Sequence, residues 1–176
     1  GGNNLGFKQA TGKYFLMLNN DTEVPEGFLE PLVQRMESDS KIGAVSPKII
    51  FHHTPGMLQF AGFEPINPFT VRGNAIGYGK QDNGDFDQSM PTSRAHGAAM
   101  MVSRKVVEEI GLMADLYFLY YEEMDYCERI KNAGYSIWYE AESKIYHKES
   151  MATGKGSTLK TYYLTRNRIL YQRRNV

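Results

Sequence analysis

The sequence is short of several things, and each shortage removes a class of protein. It has one cysteine, Cys127, in 176 residues. One thiol closes no intrachain disulfide and builds no cysteine-based zinc site, and it fits a reducing compartment. No apolar run approaches the roughly 20 residues that span a bilayer, and the first residues lack the basic and apolar pattern of a signal peptide. Neither charge is in excess, with Lys plus Arg and Asp plus Glu at 20 each. That balance argues against nucleic acid as a partner, since wholesale binding of it needs a basic surface. There is no methionine at the start, and residue 1 already stands within a GGNN turn. The expectation is an excised fragment, so the missing targeting signals say little about its parent. What is present is enough for one packed domain: 41% hydrophobic and 12% aromatic residues over a length that can bury a core.

Hydrophobic periodicity orders the chain. Residues 1–4 read as a loop and 5–10 as a short helix broken by Gly12. Residues 14–18 form a strand, and 28–38 an amphipathic helix with Pro25 near its start. Residues 43–51 form a strand in which Pro47 signals an edge or a bulge. The stretch 52–91 is irregular, with a short strand near 57–60. A strand over 93–103, a helix over 106–110 and a helix over 122–133 closed by Gly134 follow. Two short strands (136–139 and 144–147), a flexible stretch at 150–157 and a final helix from 158 complete the chain. This alternation is α/β, and the insertion with its short late strands points to a mixed sheet. The domain reading is residues 1–157 plus a C-terminal amphipathic helix over 158–176.

Two runs carry chemistry. The first is YFLMLNNDTEV at 14–24, an apolar strand that runs directly into Asn19, Asn20 and Asp21. A strand end with short oxygen-bearing side chains suits a divalent cation with phosphates on it. It equally suits a turn and a helix cap, for which Asp21 and Thr22 are good residues. The second run is YYEEMDYCER at 120–129, which sets Glu122, Glu123 and Asp125 at a helix start among tyrosines. Acids there favour the helix dipole, and Asp125 with Arg129 has the spacing of an ion pair. Acids embedded in aromatics also have shifted proton affinity, as a general base needs, and aromatic faces suit sugar rings. His147 at the end of a strand is either structural or, beside Asp21, a cation ligand. Gly97 gives bare backbone, for a close substrate or for a packed strand. His52 and His53 read as surface residues.

Taken in order, these segments resemble family-2 inverting glycosyltransferases with the GT-A fold, most closely a bacterial branch with rhamnosyl- and galactofuranosyltransferase-like members. GGNNLGF at 1–7 is similar to the segment before that family's metal motif. LNNDTEV at 18–24 resembles its Asp-x-Asp variant, with Asn19 in the first acidic position and Asp21 in the last. HGAAMMVSR at 96–104 resembles the strand that lines the donor sugar, and YYEEMDYCER the motif of the catalytic base. YYLTRNRIL at 162–170 resembles a C-terminal segment of the branch. The family usually has Glu-Asp where this chain has Glu122-Glu123.

The resemblance implies a GT-A-like mixed sheet flanked by helices and truncated at its N-terminus. It implies sugar transfer, with inversion, from a nucleotide diphosphate sugar to a glycan or lipid-linked acceptor in cell-surface polysaccharide or glycolipid synthesis. Glu123 would be the base. Asp21 and His147 would hold Mg²⁺ or Mn²⁺, while Asn3, Asn4, Asn19, Asn20, Asp21 and Gly97 would face the donor. Glu122, Asp125 and Arg129 would shape the acceptor side or brace the helix. A fragment without the first strands of the fold is expected to be inactive alone. The competing expectation is a non-catalytic sugar- or cation-binding module. The basic final helix is expected either to pack on its own domain or to touch anionic lipid, which would place the protein in the cytoplasm at the inner face of the membrane.

Overall fold

A computed structural model describes residues 1–148 and 158–175. Its frame is a seven-stranded mixed sheet: β1 (Tyr14–Leu18), β2 (Thr22–Glu23), β3 (Ile42–Phe51), β4 (Leu58–Phe60), β5 (Met90–Pro91), β6 (Ala99–Ser103) and β7 (Ser136–His147). The order is β1-β6-β3-β7-β2, with β4 on β3 and β5 on β7. β6 is antiparallel to both β1 and β3, β7 is parallel to β3, and β2 is antiparallel to β7. β1, β3 and β7 therefore run the same way. The carboxyl ends of β1 and β7 and the start of β6 meet at one end of the sheet.

Among the described residues five α-helices accompany it: α1 (Gly2–Gln9), α2 (Leu29–Ser38), α3 (Arg104–Ile110), α4 (Glu122–Asn132) and α5 (Thr158–Asn175). Side chains alternate across a strand, so β1 splits its residues between two layers. Phe15 and Met17 join Phe7 of α1, Val106 of α3 and Ile130 of α4 on one face. Tyr14 and Leu16 join Leu32 and Met36 of α2 on the other. β3 is covered on both sides and reads as a continuous buried run.

Four local expectations change. α1 begins at Gly2 rather than at residue 5. The poor helix formers there are held because Asn4 exchanges three hydrogen bonds with Met113 and Asp115 across the fold, so a tertiary contact overrides local preference. α2 begins at Leu29, which leaves Pro25 in the preceding turn and puts Pro31 in the first helical turn, where a missing N–H costs no bond. The strand expected from residue 93 begins only at Ala99. The two late strands are one, β7, bulged where Pro47 pairs with Glu140 and Lys48 already pairs with Lys144. Pro47 therefore marks a bulge in a central strand, where its lack of an N–H is absorbed. The flexible stretch expected at 150–157 lies outside the described residues.

Candidate active site

The polar end of β1 is a turn closed by backbone and hydroxyl hydrogen bonds. Asn19 N donates to Ala98 O at 2.9 Å, tying the turn to the approach to β6. The Thr22 hydroxyl donates to Asn19 O at 2.7 Å. The turn is thus closed without the Asp21 carboxylate. β2 then pairs Thr22 opposite His147, which carries Asp21 to the end of β7. Asp21 Oδ1 lies 3.2 Å from His147 Nε2, yet it is buried and makes no hydrogen bond. His147 Nδ1 is 2.8 Å from Gln59 Oε1. In the tautomer that donates from Nδ1 to Gln59, the Nε2 lone pair of the ring and the Asp21 carboxylate would both be available to one cation. Ligands at right angles on one cation, each about 2.0–2.2 Å from it, stand about 3 Å apart. The pair fits a divalent cation, and Gln59 fixes the imidazole in the manner of an outer-shell partner. Among the described residues no group of three or more His, Cys, Asp or Glu side chains is placed to hold a metal. The remaining coordination would have to come from ligand oxygens or water.

His147 also lines a cleft of about 360 Å³ together with Asn3, Asn19, His96, Gly97, Glu122 and Glu123. Glu123 sits at its wall against Gly97: a Cβ on that glycine would lie 3.5 Å from Glu123 Cγ and 3.6 Å from Cδ. Gly97 thus leaves the carboxyl open to the cleft. Burial, and then the Glu122 charge beside it, push the proton affinity of Glu123 up to about 7, against the pull of Arg94. Glu122 is shifted upward too, chiefly by burial, and its Oε2 is buried without a hydrogen bond.

The turn that delivers these acids is strained. Phe118, Tyr120 and Tyr121 have φ of 63°, 65° and 75°, where bulky side chains are rare. Leu119 N donates to Tyr117 O at 2.7 Å across Phe118, an uncommon γ-turn.

Other expected site residues lie elsewhere or do other work. Asn3 reaches the cleft, while the Asn4 amide is engaged with Met113 and Asp115. Asn20 is exposed at the turn. Asp125 is fully buried below the cleft, bonded to Tyr117, Arg129, Asn175 and Arg174. Arg129 bonds the Ile110 and Leu112 carbonyls at 2.8 and 2.7 Å. Both brace α4. His52 is half-buried and pairs with Glu23 at 2.9 Å.

Two residues that periodicity did not single out also belong to the site. Gln59 is a buried polar side chain between Leu58 and Phe60, and that interruption of an apolar strand was its only signal. His96 accepts at Nδ1 from Ala98 N at 3.1 Å and lies parallel to Phe63. Burial, with His147 and Arg94 nearby, depresses it to about 3, so it stays neutral.

Comparison with known proteins bears on this geometry. A chain from a crystal structure of GalNAc-T7 with UDP, GalNAc and Mn²⁺ superposes with a TM-score of 0.63 at 16% identity, over 91% of this chain and 33% of that one. That likeness concerns the fold, which is GT-A-like. In sequence, the chain is 27% identical over 179 aligned positions to the low-salt glycan biosynthesis hexosyltransferase Agl10 of Haloferax volcanii. The alignment takes in 97% of this chain and 55% of that protein, so the chain spans about half the length of the curated relative. The model for glycosyl transferase family 2 matches residues 1–111, well over half of the sequence, and the chain belongs to that family.

Proposed function

We propose that the protein transfers a sugar from a nucleotide diphosphate sugar to an acceptor hydroxyl with inversion, in glycan assembly. The observation that carries this reading is the cleft itself. It joins His147, with an unbonded Asp21 oxygen behind it, to a half-buried Glu123 whose proton affinity is set near neutrality. Asp21 and His147 would hold Mg²⁺ or Mn²⁺; bound there, the ion would offset charge growing on the departing diphosphate. Asn3, Asn19 and Asn20 would hydrogen-bond the donor.

Glu123 would take the acceptor proton as that oxygen attacks the anomeric carbon. One carbon–oxygen bond forms, the bond to the diphosphate breaks, and its electron pair leaves with the nucleoside diphosphate. A base matched to the working pH combines availability with driving force. His96, neutral throughout, would present Nε2–H as a donor to a sugar hydroxyl. Asn4 is engaged in the frame, and Asp125 and Arg129 brace α4.

Peripheral contact with the inner face of a membrane, suited to a lipid-linked acceptor, draws support from α5. It exposes Leu159, Tyr162 and Ile169 on a helix that also carries Arg173 and Arg174. Among the described residues no helix is long and apolar enough to cross a membrane. Vesicle binding that weakens with salt is the expected result.

The deciding experiment is a screen of sugar nucleotides on the intact protein that carries this chain, reading nucleoside diphosphate release with and without Mn²⁺. Metal-dependent release with one donor, lost in Glu123→Gln and needing more Mn²⁺ in His147→Ala, is expected. Release that Glu123→Gln leaves unchanged would take the base's role away from Glu123, and no release with any donor would make a non-catalytic module the better reading.

A further inference from the structure

The segment YYLTRNRIL plays no part in the chemistry above, yet one of its residues is fully buried. Asn167 of α5 directs Nδ2 at three carbonyls of one turn: Tyr117 O at 2.8 Å, Leu119 O at 2.7 Å and Tyr120 O at 2.8 Å. Arg166 adds a fourth, donating from Nη1 to Leu116 O at 3.2 Å, and the same nitrogen donates to Asn167 Oδ1 at 2.9 Å, which fixes the amide. The gripped carbonyls belong to the turn with three left-handed non-glycine residues, immediately before Glu122 and Glu123. Such residues are strained and persist only where the surroundings over-determine them. Within the turn Leu119 N donates to Tyr117 O and Asp125 N to Tyr121 O, and the Asn167 amide brings a side-chain donor to the Leu119 and Tyr120 carbonyls. A second tie lies a turn further into α4, where buried Asp125 accepts from Asn175 at 3.1 Å and from Arg174 at 2.9 Å.

We infer that Asn167, oriented by Arg166, is a positioning residue: it locks the strained 117–121 turn and thereby aims the Glu123 carboxyl into the cleft. This rests on the transferase reading for its kinetic consequence and not for its structural one. Glutamine could not substitute without shifting the amide a methylene along, and alanine would remove the donor that these carbonyls share. The remaining bonds of α5 would keep the helix docked, so the loss is confined to the turn.

The test has two arms. The first is amide hydrogen exchange on the chain itself, which needs no turnover. Asn167→Ala should speed exchange of amides in residues 118–125 at least about tenfold while β3 and β7 are unchanged, with a smaller effect in Arg166→Met. Unchanged exchange in that segment in both variants would overturn the inference, as would loss of protection throughout the sheet in both. The second arm is kinetic. Asn167→Ala should lower kcat about 10- to 100-fold with the donor KM within about twofold, since a small misplacement of a reacting group costs that much. Introduced into Glu123→Gln it should lower the residual rate no further, because it acts through that carboxyl. A further loss of equal size would mean a merely structural role. If the intact wild-type protein that carries this chain transfers nothing, the function reading fails and the exchange arm still decides the clamp.

Discussion

Glu123 concentrates the residue-scale physics. Its folded proton affinity, near 7, lies above the ordinary glutamate value because burial and Glu122 penalise the charged form. A group raised in this way contributes stability fully below its unfolded value and loses that contribution as pH rises through about 7. Glu123→Gln should therefore raise Tm by about 5 °C at pH 8 and change it little at pH 5, as followed by thermal melts. In the active protein the wild-type rate should climb with pH through the same window, since the base works deprotonated. Gly97 makes a complementary case. An alanine methyl there meets Glu123 Cγ at 3.5 Å, an ordinary contact, on a backbone that any residue can adopt. Gly97→Ala should keep Tm within about 2 °C and lower transfer about tenfold, because the methyl covers the carboxyl without disturbing the fold. A variant with full activity would mean that the cleft is entered from another side.

At the scale of elements, close approach governs the sheet as much as pairing does. Gly43 in β3 faces the end of α4 and the corner that follows. A Cβ there would stand 2.7 Å from Tyr135 Cβ and 2.8 Å from Ile130 Cγ2, inside any allowed contact. Gly43→Ala should cost about 1–3 kcal/mol, read as a lower denaturant midpoint with unchanged m. The clash would displace α4, and Glu123 rides on α4, so a loss of activity should accompany the loss of stability. The single strand β7 shows another element-scale effect. Its bulge lets Tyr139 face the core on one side of the break and Ile145 on the other, and it keeps His147 in register with Thr22. Read from sequence, the break looks like the end of one strand and the start of the next, because periodicity alone cannot see the partner strand that carries both halves.

For the whole molecule, the question is what pins the irregular 52–91 segment to the sheet. Lys48 of β3 is buried and pairs with Asp82 at 3.0 Å and with Asp87, while Lys144 of β7 reaches Asp82 at 3.6 Å. Alanine at both aspartates would strand a buried ammonium, at a cost of about 3–5 kcal/mol in urea unfolding. Lys48→Met, which removes the charge and keeps the volume, should cost clearly less. An equal cost for the two would mean that packing and not charge holds the segment.

The sequence by itself determined the elements that obey a period: the β1 run, the amphipathic α2, the acidic start of α4, and with them the α/β class. It also presented Asp21, Glu123 and His147 as candidates, since a polar cluster at a strand end and acids among tyrosines are visible without neighbours. Only the tertiary structure decided which candidates share a cleft. His147 meets Asp21 because β2 pairs with β7, Gly97 meets Glu123 because β6 begins beside α4, and Asn4 and Asp125 are drawn away into the frame. Those outcomes depend on contacts between residues far apart in the chain, and a local pattern carries no record of them.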